Sequence, residues 1–223
     1  MDRSTFDTKY RSRLERLSTT NLSDALDSVG ARGAVSGIRP MFDCQRVVGR
    51  AVTIKIMAAG MVRSKRHLGV EAIASAETGD IIAIDNHGDT NNNCWGEVLS
   101  CAAKVKGVSA VVVDGAARDI DICKELGFPV YARAVVPITA RGRITQESFN
   151  TTIRLGDVQV RPGDVIVADV NGLVVICPEQ LDEVVRQAEA LMNKEEAMKA
   201  DLLAGMDVLE MDKKYNYEKM LEK

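Results

Sequence analysis

Val108-Ser109-Ala110-Val111-Val112-Val113, running directly into Asp114-Gly115-Ala116-Ala117-Arg118-Asp119, is the stretch on which the fold turns. A run this apolar, closing on three β-branched valines, reads as a strand buried on both faces, the kind found inside a parallel sheet. A helix over about Ile120 to Leu126 follows, Gly127 ends it, and Val130 to Ala132 reads as the next strand. Strand, loop, helix, strand is an α/β unit, and in such units ligands bind outside the carboxyl ends of the strands. Arg118 and Asp119 fall at that end.

Upstream, a helix starts near Gly96, carries Val98, Ala102 and Val105 on one face, and stops at Gly107. Before it, Asp85 to Cys94 is a polar loop. Such a loop carries function when it sits beside a rigid scaffold, and a plain solvated connection is the other reading. Ile81 to Ile84 reads as a strand, His67 to Ala76 as a helix closed by Thr78-Gly79-Asp80, and Val52, Ile54 and Ile56 as the buried positions of a half-buried strand. Nearer the start, Asn21 reads as a helix cap with Asp24 as its reciprocal partner, and Gly30 ends that helix. Gly30-Ala31-Arg32-Gly33 reads as a turn rather than an anion cradle, because no strand precedes it.

Downstream, Val158 to Val160, Val165 to Ala168 and Leu173 to Ile176 are short strands joined by the turn signals Arg161-Pro162-Gly163-Asp164 and Asp169-Val170-Asn171-Gly172. A long helix begins near Glu179, with Leu181, Val184, Val185, Ala188, Leu191 and Met192 at helical spacing and Gly205 as its stop. The charged tail from Met206 to Lys223 reads either as an arm on a neighbouring subunit or as a frayed end. With no repeat and no linker, residues 1–223 read as a single domain.

Composition removes several function classes. Lys and Arg number 29 against 32 Asp and Glu, a net charge of −3, so no nucleic-acid partner is expected. No apolar run approaches the roughly 20 residues a spanning helix needs, and the first residues lack the apolar core of a signal peptide. No membrane partner and a cytoplasmic location are the expectations. Five cysteines without a Cys-x-x-Cys pair argue against a disulfide framework and a thiolate zinc site. Two histidines, His67 and His87, are too few for a three-histidine zinc site.

What remains is hard-metal or arginine chemistry. Glu97 stands 21 positions before Arg118, and Asp119 follows at once. A helix starting at Gly96 exposes the backbone N–H groups of Gly96, Glu97, Val98 and Leu99, an anion site for a carboxylate or phosphate. Arg118 adds a planar positive fork and Asp119 a hard oxygen ligand. A structural Arg118–Glu97 ion pair accounts for the same residues equally well.

The strings Leu22-Ser23-Asp24-Ala25-Leu26-Asp27, Trp95-Gly96-Glu97, Asp114-Gly115-Ala116-Ala117-Arg118-Asp119 and Gly127-Phe128-Pro129-Val130-Tyr131-Ala132-Arg133 resemble the RraA-like family. That family includes regulators of ribonuclease E activity and class II aldolases for 4-hydroxy-4-methyl-2-oxoglutarate and 4-carboxy-4-hydroxy-2-oxoadipate. The similarity runs from about Thr19 to Gly205, and its most specific element is the spacing of Glu97, Arg118 and Asp119. The family often has Asp where Glu97 stands.

The resemblance implies an α/β/β/α sandwich of the swivelling β/β/α type, assembled as a homo-oligomer, trimer or hexamer, with sites between subunits. It implies Asp119 as the ligand to Mg²⁺, Mn²⁺ or another divalent cation, consistent with a Mg²⁺ site built from few carboxylates and several waters. Arg118 would hold the keto oxygen of a 2-oxo acid substrate, and the amides of Val98 and Leu99 its carboxylate. Glu195 from a neighbouring subunit, with Glu196 as fallback, would reach the metal's water shell; a solvated helix face explains that pair as well. The implied reaction is retro-aldol cleavage of a 4-hydroxy-2-oxo acid to pyruvate and a second oxo acid, with oxaloacetate decarboxylation alongside. The alternative is a non-catalytic, protein-binding regulator of the ribonuclease E type. A Schiff-base aldolase using Lys55 or Lys104 is a rival enzyme mechanism. The loop Asn86 to Asn93, with Arg141 and Arg143, reads as a set of contacts to the substrate's distal carboxylates, and the two arginines read equally as solvated turn residues.

Overall fold

The computed structural model describes residues 2–61 and 67–216. Helices α1 (Arg3–Phe6) and α2 (Ser12–Leu14) flank a π-helical turn over Asp7–Arg11, and α3 spans Thr19–Ser28. Strands β1 (Ala34–Val35), β2 (Arg39–Pro40) and the long β3 (Val47–Ala58) precede α4 (Val70–Ser75). The central unit is β4 (Ile81–Trp95), α5 (Glu97–Lys106), β5 (Ala110–Ala117), α6 (Ile120–Glu125), β6 (Val130–Ala132) and β7 (Ala134–Val135). Then come β8 (Ile144–Phe149), the hairpin β9 (Ile153–Leu155) and β10 (Val158–Val160), β11 (Val165–Asp169) and β12 (Gly172–Ile176). Helices α7 (Leu181–Leu203) and α8 (Val208–Tyr215) close the described chain.

The long β3 belongs to two sheet halves. Its first residues pair antiparallel with β11, giving the order β1-β12-β11-β3, while its later ones pair parallel with β4, giving β3-β4-β5-β6-β2. Side chains alternate across each strand, and β5, β11 and β12 are buried at every position on both faces. Val111 and Val113 pack outward under α4, α5 and α6 with Ile82 and Ile84, whereas Ala110 and Val112 point inward with Ile81 and Ala83. In the other half, Val165, Val167, Val174 and Ile176 pack outward under α3 and α7, while Ile166, Ala168, Leu173 and Val175 point inward to meet the first half. Three apolar layers therefore separate four layers of structure: helices, sheet, sheet, helices. This is the expected α/β/β/α sandwich.

Several local expectations are corrected. Helix α3 is capped by Ser18, whose extended backbone lets its hydroxyl accept the Asn21 N–H at 3.0 Å. Asn21 instead lies buried within the helix, donating from Nδ2 to Glu195 Oε2 at 2.9 Å. Helix α4 is shorter than the expected 67–76, because Gly69 at φ +81° turns the chain only just before it. Gly33 is a point of close approach: a Cβ there would lie 2.1 Å from the Val175 carbonyl oxygen. The polar stretch 85–94 is not a free loop but the far half of β4, whose pairing to β5 skips from Asp85 to Asp89 to Asn93. The excursion is held by Asp89, whose carboxylate accepts the Asn91 N–H at 2.7 Å and the Asn92 amide at 2.8 Å.

The tail is folded as far as residue 216. Lys214 and the Tyr215 hydroxyl both reach Asp201 on α7, at 2.6 and 2.7 Å, and Met211 is buried. Residues 217–223 lie outside the described part. Among the described residues no helix is long and apolar enough to cross a membrane.

Candidate active site

Parallel β4 and β5 end side by side, and the Arg118 N–H donates to the Trp95 carbonyl at 3.0 Å, locking the two ends together. Each chain then turns at once into a helix. Gly96 caps α5 and Asp119 caps α6, so the Glu97 turn and the Arg118-Asp119 turn lie against each other. The Asp119 carboxylate oxygen Oδ2 accepts the Glu97 N–H at 3.1 Å and pairs with Arg118 Nε at 3.3 Å. This contact needs Gly96: a Cβ there would lie 2.6 Å from Asp119 Oδ2 and 3.2 Å from Arg118 Cγ. Asp119 itself is held at φ +55°, the left-handed region that a non-glycine residue enters only at a cost.

The spacing of Glu97, Arg118 and Asp119 thus reflects a real juxtaposition, but with different partners from those expected. Among the described residues the ion pair that forms is Arg118–Asp119 rather than Arg118–Glu97. Of the four helix-start amides, that of Glu97 is taken by Asp119. The N–H groups of Val98 and Leu99 have no acceptor among the described residues and remain available at the positive end of α5.

A cleft of about 700 Å³ opens over this corner. Gly96, Glu97, Val98, Leu99, Arg118 and Asp119 all line it. Residues 139–142 and 144–146 also line it, among them Arg141, which sequence reading placed only as one of two alternatives. Arg143 stays outside the lining and donates to the Thr139 carbonyl at 3.3 Å. His67 borders the cleft; His87 does not, its ring nitrogen meeting the Ile56 carbonyl at 2.7 Å.

Behind the wall, Trp95 is fully buried, stacked on Phe128 with ring centroids 6.3 Å apart. Its indole N–H donates to Ser100 Oγ at 2.8 Å, and that hydroxyl meets Cys123 Sγ at 3.2 Å. All five cysteines are free, and burial pushes the Cys94 thiol far above its ordinary value, out of reach of thiolate chemistry.

Asn93 lies at the end of the loop that sequence reading set toward the substrate, whereas Thr145 and Gln146 were missed. Gln146 Oε1 accepts the Gly69 N–H at 2.9 Å, fixing the wall to the start of α4. Asn93 Oδ1 and Thr145 Oγ1 are buried with no hydrogen-bond partner. The only sequence signal toward them was the run of asparagines from Asn91 to Asn93; β8 carries no motif.

No described lysine lines the cleft. Lys55 Nζ is paired with Glu147 at 3.0 Å, and Lys104 Nζ donates to the Leu126 carbonyl, so neither candidate for a Schiff base is placed to form one. Among the described residues no group of three or more His, Cys, Asp and Glu side chains converges to hold a metal ion. The acidic groups available in the cleft are Asp119 and the exposed Glu97. Asp119 Oδ1 has no hydrogen bond among the described residues, which suits a hard cation taking one protein carboxylate and several waters. Glu195 lies on α7, away from its own chain's cleft, hydrogen-bonded to Asn21, and Glu196 is exposed.

Known proteins are similar to this chain over most of its length. The chain is 36% identical over 193 residues to a putative 4-hydroxy-4-methyl-2-oxoglutarate aldolase of Halalkalibacterium halodurans, covering 86% of each. It is 28% identical over 200 residues to protein DlpA of Legionella pneumophila, covering 90% of this chain but 32% of that longer protein. Among solved structures, Streptomyces coelicolor RraAS2, described as an unusual member of the RNase ES inhibitor RraA protein family, superposes with a TM-score of 0.79 at 26% identity, covering 87% of this chain and 98% of that one. The family profile described as RraA-like, Aldolase/RraA, matches residues 19–175. The chain therefore belongs to the RraA-like family.

Proposed function

We propose that this protein is a divalent-metal-dependent aldolase that cleaves a 4-hydroxy-2-oxo acid, such as 4-hydroxy-4-methyl-2-oxoglutarate, to pyruvate and a second oxo acid, and decarboxylates oxaloacetate alongside. The observation that carries the reading is the convergence, in one cleft, of the Arg118 fork, the Asp119 carboxylate and the two unpartnered N–H groups of Val98 and Leu99. The aldolase name of the Halalkalibacterium relative supports it.

A 2-oxo acid carries a carboxylate beside a carbonyl. The Val98 and Leu99 N–H groups, at the positive end of α5, suit the carboxylate. The Arg118 guanidinium then donates to the C2 oxygen, where negative charge gathers as the C3–C4 bond breaks and its electron pair passes to C3. The C4 hydroxyl gives up its proton to solvent water as it becomes a carbonyl, and the enolate takes one proton back from solvent at C3, so atoms and charge balance. Loss of CO₂ from oxaloacetate leaves the same enolate, which is why one cleft serves both reactions. Asp119 would hold Mg²⁺ or Mn²⁺, which supplies Lewis-acid polarisation of the 2-oxo group when bound. In a trimer or hexamer, Glu195 of an adjacent copy would add a second carboxylate near that site.

The second reading is a protein-binding regulator of the ribonuclease E type. It is favoured by the close superposition on RraAS2 over nearly all of that chain, and by the lack of a multi-carboxylate metal cluster among the described residues. One assay separates the two: pyruvate release from 4-hydroxy-4-methyl-2-oxoglutarate and from oxaloacetate, with Mg²⁺ or EDTA, for the wild type and Asp119→Asn. Asn tolerates the left-handed backbone at 119, so the variant removes the charge and keeps the turn. Metal-dependent release lost in the variant is the expected result. No release from either substrate, with co-purification of ribonuclease E or an RNA helicase, would replace the lyase reading by the regulator.

A further inference from the structure

Retro-aldol cleavage needs a group to take the C4 hydroxyl proton as the carbon–carbon bond breaks. Among the described residues that line the cleft, three side chains can accept a proton at neutral pH: Glu97, Asp119 and His67. Asp119 is already paired with Arg118 and accepts the Glu97 N–H. His67 stands just before α4, in a segment that lies against α5. A Cβ on Gly69, two residues further on, would meet Leu99 Cδ1 at 3.4 Å and the Trp95 ring at 3.5 Å. The Gly69 N–H donates to Gln146 Oε1 at 2.9 Å, which ties the same segment to β8. Two residues span at most about 7 Å, so the His67 backbone lies within that distance of a point in contact with the first turn of α5. The imidazole is exposed, and its Nδ1 lies 3.1 Å from the Leu68 carbonyl oxygen. A carbonyl only accepts, so Nδ1 carries the proton. Nε2 is then the basic nitrogen, with no partner among the described residues.

We infer that His67 is the general base of the cleavage: its Nε2 takes the C4 hydroxyl proton of the 4-hydroxy-2-oxo acid and hands it on to solvent from its exposed ring. The inference deepens the lyase reading, on which it rests, by naming the residue that separates the two reactions of one cleft. In the cleavage the O–H bond breaks, its electron pair forms the C4 carbonyl, and the C3–C4 pair passes into the enolate beside Arg118. The proton leaves on Nε2, His67 loses it to solvent, and the enolate takes one from solvent at C3, so atoms and charge balance. Oxaloacetate has no C4 hydroxyl. Its C3–C4 pair is released with CO₂, nothing is deprotonated, and His67 has no step to perform. A neutral imidazole is a stronger base than an ionised carboxylate, so chemistry ranks His67 above Glu97 for this proton.

The test sets the two substrates against each other in the presence of Mg²⁺, after subtraction of the rate given by the metal alone. His67→Asn keeps an N–H donor for the Leu68 carbonyl in place of Nδ1 and removes the basic nitrogen. Its kcat for pyruvate release from 4-hydroxy-4-methyl-2-oxoglutarate is expected to fall by about 100-fold or more, while oxaloacetate decarboxylation stays within about threefold. Affinity for oxalate, a non-reacting dicarboxylate read by calorimetry, should be unchanged, and added imidazole should restore part of the cleavage in His67→Ala. The ring is exposed, so both variants should keep the fold. Both reactions falling together, or neither falling, would overturn the inference. Cleavage kept in His67→Asn but lost in Glu97→Gln would move the base to Glu97. A wild type that releases pyruvate from neither substrate removes the lyase reading and the base with it, whereas an active wild type whose two rates do not separate in the variant removes the base alone.

Discussion

Replacing Gly96 with alanine tests the corner directly, because it adds one methyl group and nothing else. The Gly96 backbone is extended, at φ −159° and ψ −163°, so alanine imposes no conformational strain. The methyl would lie 2.6 Å from Asp119 Oδ2, 3.2 Å from Arg118 Cγ and 3.4 Å from Arg118 Nε, so the carboxylate has to retreat by about 0.4 to 0.8 Å to reach ordinary contact. That retreat breaks the bond from the Glu97 N–H and carries the Arg118 fork with it. A displacement of about 1 Å in a reacting group costs on the order of 100-fold in rate, so kcat/KM for pyruvate release should fall by about 10- to 100-fold. Stability should change little, by about 1 kcal/mol, the usual difference between glycine and alanine at a helix cap. Two assays suffice: steady-state pyruvate release, and a Mn²⁺ titration followed by the fluorescence of Trp95, the single tryptophan of the chain. If Gly96→Ala keeps both Mn²⁺ affinity and kcat/KM within about twofold, the close seating of Asp119 on α5 has no role in the chemistry, and the argument for the corner fails.

Arg118→Lys keeps the charge but loses the planar fork, and kcat should drop by about 100-fold; an unchanged kcat would remove Arg118 from the charge-stabilising role. Ser100→Ala strands the buried Trp95 indole N–H, and thermal unfolding should show a loss of about 1–3 kcal/mol. Burial works to raise the Asp169 carboxyl, but hydrogen bonds from the Thr19 N–H, the Thr19 hydroxyl and the Asn171 N–H, with the Arg46 guanidinium nearby, hold it below the usual carboxylate range. Its stabilising effect is therefore full above the unfolded value of about 3.9 and is lost as pH falls through the folded value. Asp169→Asn should be less stable at neutral pH by about 1–3 kcal/mol and should show a shallower acid limb in denaturation measured from pH 7 to pH 2; equal limbs would refute the assignment. If Glu195 serves a neighbour's site, mixed oligomers of Glu195→Gln and Asp119→Asn should recover part of the pyruvate release that each variant lacks alone, and no recovery would confine the site to one chain.

The parts of the fold legible in the sequence are those where a local signal and the tertiary structure agree. Val111 to Val113 and Val165 to Ala168 read as buried strands and are strands, and Gly107 and Gly205 end their helices as expected. What strand patterns leave open is the second sheet layer. Val111 faces one apolar layer and Val112 another, and a strand apolar on both faces looks the same whether its neighbour is a helix or a sheet. The layered fold came from family resemblance, not from periodicity. The site divides in the same way. Glu97, Arg118 and Asp119 were readable because two strand ends and two helix starts coincide there, whereas Thr145 and Gln146 reach the cleft only through the antiparallel pairing of β8 with β3, a contact more than eighty residues apart in the chain. Register over that distance has no local signature.

The corner also bears on the choice between an enzyme and a regulator that kept the fold alone. Closing the sandwich does not require Asp119 to sit at φ +55°, nor β4 to spend ten residues reaching from Asp85 to Trp95 while β5 advances only from Asp114 to Ala117. It does not require a buried side-chain oxygen without a partner on each of Asn93 and Thr145. Each of these features costs stability, on the order of 1–3 kcal/mol for a strained backbone or an unmet buried polar group. They lie among the residues that line the cleft with Arg118 and Asp119, where the free Val98 and Leu99 amides suit a small anionic ligand. That concentration is the physical reason for placing the lyase reading ahead of the regulator, and it makes pyruvate release the measurement that decides.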